Sequence, residues 1–202
     1  MFIIYTINSQ GRMIKLLQTN FELGLLNAYL LMLIYFIVSM APFMFKKNSR
    51  YKEISPTNIT DDFGKVLYWL NFIIFTIAII VSIFLPIIFD SIFFYIGIAL
   101  WITGMIIVLG VCMSWAKTVE KKPVTRGVYK YSRNPMYVSF TFTYIGIGIV
   151  TLSWVFLMLT FVYILITVLI VDYEEEFCLE KFGNDYRDYM KNTHRWIGRA
   201  KK

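Results

Sequence analysis

The segment Arg126-Gly-Val-Tyr-Lys-Tyr-Ser-Arg-Asn-Pro-Met-Tyr-Val-Ser139 places cations, tyrosines, a glycine and a proline directly before a long apolar run. Pro135 suits the first turn of a helix, where its missing N–H group costs nothing. Asn134 is a good helix cap, so we expect its side-chain oxygen to accept a hydrogen bond from that first turn. The segment therefore predicts a polar loop that ends at a helix N-terminus, where free N–H groups bind anions.

The rest of the chain has the composition of a membrane protein. It has 202 residues, 58% hydrophobic and only 16% charged, which is too apolar for a water-soluble domain of this size. The apolar residues form runs close to the ~20 residues that cross a bilayer as a helix. The charges lie between these runs, so the net charge of +7 does not indicate a nucleic-acid partner. We therefore expect an all-α integral membrane protein, with residues 1–202 in one membrane domain.

The apolar runs predict about five transmembrane helices, which are expected at residues 21–45, 66–89, 92–115, 135–151 and 154–172. Residues 1–20 are expected to form an N-terminal arm or a short interfacial helix. The tail from Tyr173 is amphipathic and charged, which predicts a C-terminal helix interrupted by Gly183. The domain is thus divided into an arm (1–20), three spans (21–115), and a loop, hairpin and tail (116–197).

Four glycines within the spans indicate where helices approach closely. Gly97 and Gly104 are seven residues apart and fall on one face of the third span. A neighbouring helix would pack closely against that face. Gly146 and Gly148 fit the same purpose in the fourth span, and a contact with a cofactor is the alternative.

Lysine and arginine are unevenly divided between the two sides of the five-span arrangement. The loops at 46–65 and 117–133 and the C-terminal tail contain five, six and seven of them, whereas the other side has only Arg12 and Lys15. An excess of these residues marks the cytosolic side. We therefore expect the N-terminus outside, and the tail and the loop at 117–133, hereafter the signature loop, in the cytosol.

The quoted segment resembles the G-x-Y-x-x-x-R-(H/N)-P-M-Y signature of a family of integral-membrane methyltransferases. This family includes isoprenylcysteine carboxyl methyltransferases and phospholipid N-methyltransferases. Its second motif is a Glu-Glu pair followed by Phe-Gly, an acidic residue and two tyrosines. This motif corresponds to Glu174, Glu175, Phe182, Gly183, Asp185, Tyr186 and Tyr189. The two motifs occur in the expected order, one helical hairpin apart, and the resemblance covers residues 100–197.

The resemblance implies S-adenosylmethionine as cofactor and a lipid or lipidated substrate, methylated at an isoprenylcysteine-type carboxyl group or a phospholipid amine. The cofactor carries a carboxylate, an ammonium and a sulfonium, and the chain offers a complement to each. The helix N-terminus at Pro135, with Arg133, suits the carboxylate. Glu174 or Glu175 suits the ammonium. Aromatic faces suit the sulfonium, and those expected to face it are Tyr129 and Tyr137.

The residues expected to bind the cofactor are Gly127, Tyr129, Arg133, Asn134, Pro135, Tyr137, Glu174 and Glu175. Arg133 and Glu175 are the expected catalytic residues. A carboxylate acceptor would need no base, whereas an amine acceptor would transfer a proton to Glu174 or Glu175. His194 has no partner at metal-ligand spacing, so no metal site is predicted.

A second interpretation is a non-catalytic membrane scaffold or lipid-binding protein of the same fold. Asn134 stands where many family members have histidine, and Ser139 replaces a usual glycine. Asn192 stands where carboxyl methyltransferases have an arginine suited to a substrate carboxylate, although Arg195 could supply that charge. The acids at 172–176 also fit the solvated end of a span. Binding of S-adenosylmethionine separates the two interpretations, because a scaffold would show none.

Overall fold

The computed structural model describes residues 4–7, 13–16, 21–45, 62–116 and 122–198. Its helices are α1 (Tyr29–Phe45), α2 (Asp62–Ile83), α3 (Ile92–Ala116), α4 (Pro135–Val150), α5 (Trp154–Phe182) and α6 (Asn184–Asn192). Two short antiparallel strands, β1 (Ile4–Ile7) and β2 (Met13–Leu16), precede them. The basic stretch at 46–61, residues 117–121 of the signature loop and residues 199–202 lie outside the described residues.

The expected all-α membrane architecture is confirmed by five apolar helices. Three of them, α2, α3 and α5, contain 22, 25 and 29 residues and are long and apolar enough to cross a bilayer. The other two, α1 and α4, are shorter, with 17 and 16 residues. The amphipathic C-terminal helix is α6, and Gly183 separates it from α5 as expected.

Three predicted helix boundaries were wrong by six residues or more. Helix α1 begins at Tyr29, not at residue 21, because Asn27 bonds the carbonyls of Glu22 (2.6 Å) and Ile83 (2.7 Å) and holds the preceding chain irregular. Helix α2 ends at Ile83, not at residue 89, shortly before Pro86, since a proline disfavours helix in the residue before it. Helix α5 continues ten residues beyond the predicted end at 172.

Residues 4–7 and 13–16 form strands, so of the two expected alternatives, an arm or an interfacial helix, the helix was wrong for these residues. The paired sequences are Ile-Tyr-Thr-Ile and Met-Ile-Lys-Leu, with Ile4 opposite Leu16 and Ile7 opposite Met13. β-Branched and aromatic residues favour strands over helices. This local preference outweighs the apolar composition from which a helix was expected.

Helices α3 and α4 pack at glycine positions, as predicted for Gly97 and Gly104. A Cβ atom added to Gly97 would lie 2.7 Å from the carbonyl oxygen of Gly146, and one at Gly104 would lie 2.9 Å from that of Ser139. A Cβ atom at Gly146 would in turn lie 2.7 Å from the carbonyl oxygen of Gly97. The packing interpretation is therefore confirmed for Gly146.

The hairpin of α4 and α5 returns the chain to the end of the bundle from which α4 starts. Ser153 caps α5 by accepting a hydrogen bond from the backbone N–H of Phe156 at 3.2 Å. Tyr186 and Tyr189 are buried on one face of α6 and pack with Val111 and Tyr129. The two sequence motifs thus meet at one end of the helical bundle.

Candidate active site

Glu175 is the centre of a buried ionic cluster that joins the signature loop to the tail. Its Oε1 accepts hydrogen bonds from Nε of Arg133 (2.9 Å) and Nδ2 of Asn134 (3.0 Å). Its Oε2 accepts from Nη2 of Arg133 (3.1 Å) and Nη2 of Arg195 (2.9 Å). Glu175 is only 2% exposed. A buried carboxylate with this many charged and polar donors is a structural anchor. We call these four residues the Glu175 cluster.

Arg133 extends the anchor to the backbone of the tail. Its Nη1 donates to the carbonyls of Met190 (3.1 Å) and Thr193 (2.7 Å). Four of the five guanidinium N–H groups therefore bond to protein atoms, and the charge is balanced by Glu175. Most of this side chain is used to hold the loop against the tail.

Backbone and tyrosine contacts complete the docking of the tail. The N–H of Arg133 donates to the carbonyl of His194 at 2.9 Å, and the N–H of Gly198 donates to that of Tyr131 at 2.9 Å. The hydroxyl of Tyr189 donates to the carbonyl of Tyr129 at 2.7 Å. Burial raises the pKa of Tyr189 well above its ordinary range, so its hydroxyl remains a donor at neutral pH. The tail thus covers one side of the loop.

Gly127 and Tyr129 shape the loop from within. Gly127 has a φ of +63°, and a Cβ atom there would collide with the side chain of Ser114. Only glycine combines that backbone conformation with such close contact. Tyr129 is buried, its hydroxyl accepts from Nε1 of Trp115 at 2.6 Å, and burial raises the pKa of its phenol.

Glu174 has different surroundings from its neighbour. Its Oε1 accepts hydrogen bonds from the hydroxyls of Tyr137 (2.7 Å) and Tyr68 (3.1 Å). Among the described residues it forms no ion pair with a lysine or arginine. It lines a cavity of about 900 Å³, which is near the upper end of the range for ligand sites. Glu174 is therefore the carboxylate that faces a potential ligand.

The cavity is polar near the signature loop and apolar deeper in the bundle. Each of three wall helices carries a polar residue near the loop end and apolar residues further in. The pairs are Tyr68 with Phe72 and Phe75 on α2, Tyr137 with Phe140 on α4, and Glu174 with Ile170 on α5. One space can therefore hold a charged group at one end and an apolar chain at the other.

Comparison with known proteins agrees with this geometry. A sequence model of phospholipid methyltransferases matches residues 75–185, more than half of the chain. The chain belongs to the phospholipid methyltransferase family. The match includes the first motif and the second motif as far as Asp185, together with most of α2's deeper half and all of α3, α4 and α5. No curated protein matched the chain.

A solved structure shares the fold of this phospholipid methyltransferase family member. That structure is of the eukaryotic intramembrane Ras methyltransferase ICMT (isoprenylcysteine carboxyl methyltransferase) without a monobody. The TM-score is 0.51 and the sequence identity 21%. The similarity covers 84% of this chain and 64% of that one, so the chain spans less than two thirds of the length of ICMT. At this identity the similarity shows a common fold.

The structure separates the expected cofactor residues of this family member into two groups. The cavity wall includes Tyr129, Arg133, Asn134, Tyr137 and Glu174. Among the described residues, that wall does not include Gly127, Pro135 or Glu175. Gly127 shapes the loop, Pro135 begins α4 and Glu175 lies behind the wall as the anchor.

Sequence reasoning missed the contribution of α2 and of the end of α3. Lys65, Tyr68 and Asn71 line the cavity at intervals of three residues, and Trp115 lines it from α3. The spacing of these polar residues did indicate a shared helix face, since residues three apart on an apolar span lie on the same side of the helix. Nothing in the spacing indicated that this face lies opposite Glu174.

The predicted capping bond of Asn134 was wrong. Asn134 is the N-cap residue of α4, but its side chain forms no cap hydrogen bond. Instead Nδ2 donates to Glu175 at 3.0 Å and to the carbonyl of Arg195 at 3.3 Å. A hydrogen bond donated to a carboxylate is stronger than a neutral bond accepted from a backbone N–H, so the amide is oriented toward Glu175.

This geometry predicts that Asn134→Asp destabilises the protein. The new carboxylate would lie about as close to Glu175 as the 3.0 Å of the present hydrogen bond, and like charges at that distance repel. We expect a loss of about 1–3 kcal/mol, measured as a lower midpoint of thermal unfolding in detergent. Asn184→Asp is the control, because it makes the same change at the exposed start of α6. An unchanged midpoint in Asn134→Asp would contradict the assigned contact.

Proposed function

We propose that this protein transfers a methyl group from S-adenosylmethionine to a lipid or lipidated substrate at the cytosolic face of the membrane. The observation that carries the proposal is that one cavity has both a polar end at the signature loop and an aromatic, apolar end within the bundle. Membership of the phospholipid methyltransferase family supports the reaction class. The acceptor is a phospholipid amine or an isoprenylcysteine-type carboxylate.

The polar end of the cavity fits the charges of the cofactor. The start of α4 borders the cavity at Asn134, Met136 and Tyr137, so its N-terminal N–H groups suit the carboxylate. Glu174 suits the ammonium, because only Oε1 is hydrogen-bonded among the described residues. The rings of Tyr129 and Tyr137 suit the sulfonium.

When bound, the cofactor supplies a methyl group activated by the positive sulfur. The protein would contribute mainly by holding the acceptor in line with that methyl and by excluding water. For an amine acceptor, Glu174 is the base within the cavity and would accept the proton. Arg133 and Glu175, the expected catalytic residues, are assigned a positioning role in this proposal. The Glu175 carboxylate is occupied by Arg133, Asn134 and Arg195.

The apolar end of the cavity supports entry of the acceptor from the bilayer. Phe36 on α1 and Trp69 and Phe72 on α2 line it and are 41%, 67% and 57% exposed. Such surfaces face lipid in a membrane protein. We place the loop end of the bundle in the cytosol, where the excess of lysine and arginine lies.

Calorimetric titration of the detergent-purified protein with S-adenosylmethionine and S-adenosylhomocysteine tests the proposal. We expect saturable binding of both at one site per chain. Mass spectrometry of membrane lipids and lipidated peptides, with and without the protein, should then show a product heavier by one methyl group. Absence of binding would favour the scaffold interpretation, which the internally satisfied Glu175 cluster also permits.

A further inference from the structure

Helix α2 presents one continuous face to the cavity. Lys65, Tyr68, Asn71 or Phe72, and Phe75 follow one another at intervals of three or four residues along the helix, and all line the cavity. From the start of α2 inward, the side chains on this face change from a lysine cation, through a phenol and an amide, to two phenylalanine rings. The family match begins only at residue 75. The polar part of this wall therefore lies ahead of the sequence that matches the family.

Tyr68 is the member of this face that contacts a candidate active-site residue directly. Its hydroxyl donates to Oε1 of Glu174 at 3.1 Å, and that of Tyr137 donates to the same oxygen at 2.7 Å. Oε2 accepts no hydrogen bond from the described residues. Two donors from different helices thus fix one oxygen and leave the other directed to a ligand.

We propose that Tyr68 is a positioning residue that, together with Tyr137, holds Oε1 of Glu174 so that Oε2 receives a cationic or proton-donating nitrogen. The nitrogen is that of the cofactor ammonium, which S-adenosylhomocysteine also carries. This inference rests on the proposed function and adds α2 to the site. Asn71 strengthens the placement, since its Nδ2 donates to Oγ1 of Thr167 on α5 at 3.4 Å and links the two helices two turns below Glu174.

The charge of Glu174 depends on these two phenols and on its other neighbours. Titratable or charged groups around it are Glu175, Cys178 and Lys181 on α5, Tyr163 deeper on the same helix, Lys65 on α2, and Tyr129 and Arg133 of the signature loop. Removing a hydroxyl donor disfavours the ionised carboxylate. The loss should therefore appear as a change in the pH dependence of ligand binding, which a general loss of packing would not produce.

The test is the affinity of detergent-purified protein for S-adenosylhomocysteine, measured by calorimetry from pH 5 to pH 8.5. The acidic limb is the part of the profile in which the affinity falls as the pH is lowered and Glu174 becomes protonated. In Tyr68→Phe we expect this limb to lie about one pH unit higher. The affinity near neutral pH should fall about tenfold. Tyr137→Phe removes the shorter of the two bonds and should move the limb in the same direction. The midpoint of thermal unfolding without ligand should stay close to that of the unaltered protein.

Tyr95→Phe is the matched control, because Tyr95 is 67% exposed on α3 and outside the cavity wall. It should leave both affinity and pH profile unchanged. If the unaltered protein binds and Tyr68→Phe shows an unmoved acidic limb, the assignment of Tyr68 is overturned while the proposed function stands. If the unaltered protein does not bind, the proposed function fails and this inference fails with it.

Discussion

Replacing Arg133 with methionine is expected to lower the free energy of unfolding by about 3–5 kcal/mol, the cost of removing one member of a buried ion pair. Arg133 and Glu175 have side chains only 10% and 3% exposed, so Glu175 would keep its charge without its main partner. The change also removes the two bonds to the carbonyls of Met190 and Thr193. Unfolding in mixed micelles with increasing SDS, followed by circular dichroism, measures the effect.

Lys130→Met is the control for this substitution. It removes a cation from the same loop at an exposed position, so we expect little change in stability. If both variants unfold at the same SDS fraction, the ionic anchor is not what holds the loop. The double variant Arg133→Met with Glu175→Gln should lose less free energy of unfolding than the two single variants lose together, because the two residues share one interaction.

The sequence predicted the end of the bundle at which the candidate site lies, but it did not distinguish the two glutamates. Pro135 marked the start of α4 because proline fixes φ, and Gly183 marked the break before α6 because glycine allows the positive φ found there. Glu174 and Glu175 are adjacent, and adjacent side chains on a helix point about 100° apart. Which of them faces the cavity depends on how α5 is rotated against its neighbours. That rotation is set by packing across the whole bundle.

The contribution of Tyr68 was beyond sequence reasoning for a similar reason. Its position near the start of an apolar span was evident, and an interfacial tyrosine is common there. Its contact with Glu174 joins residues 106 positions apart, and it requires α2 to lie beside α5. Apolar spans of similar composition offer no pattern that selects this neighbour over the other spans. The irregular segment around Asn27 was missed because its bonds also reach a distant helix end.

The three consecutive acids at 174–176 are expected to give three different results when each is changed to glutamine. Glu174→Gln should weaken binding of S-adenosylmethionine by about 10- to 150-fold, because one charge-assisted contact contributes ~1.5–3 kcal/mol. It should leave folding nearly unchanged, since a glutamine oxygen still accepts hydrogen bonds from Tyr68 and Tyr137. Glu175→Gln should mainly lower stability, because Arg133 and Arg195 both lose their shared counter-charge.

Glu176→Gln is the internal control for this series, because Glu176 is exposed and outside the cavity wall. It should leave both binding and stability close to those of the unaltered protein. Calorimetric titration measures cofactor binding and SDS unfolding measures stability. Together, on the same preparations, they separate a loss of binding from a loss of stability among three adjacent residues of one helix. If Glu175→Gln abolished binding in a fully stable protein while Glu174→Gln bound normally, Glu175 would be the ligand-facing carboxylate. The Glu175 cluster would then have to open when the cofactor binds, since every donor around that carboxylate now comes from the protein.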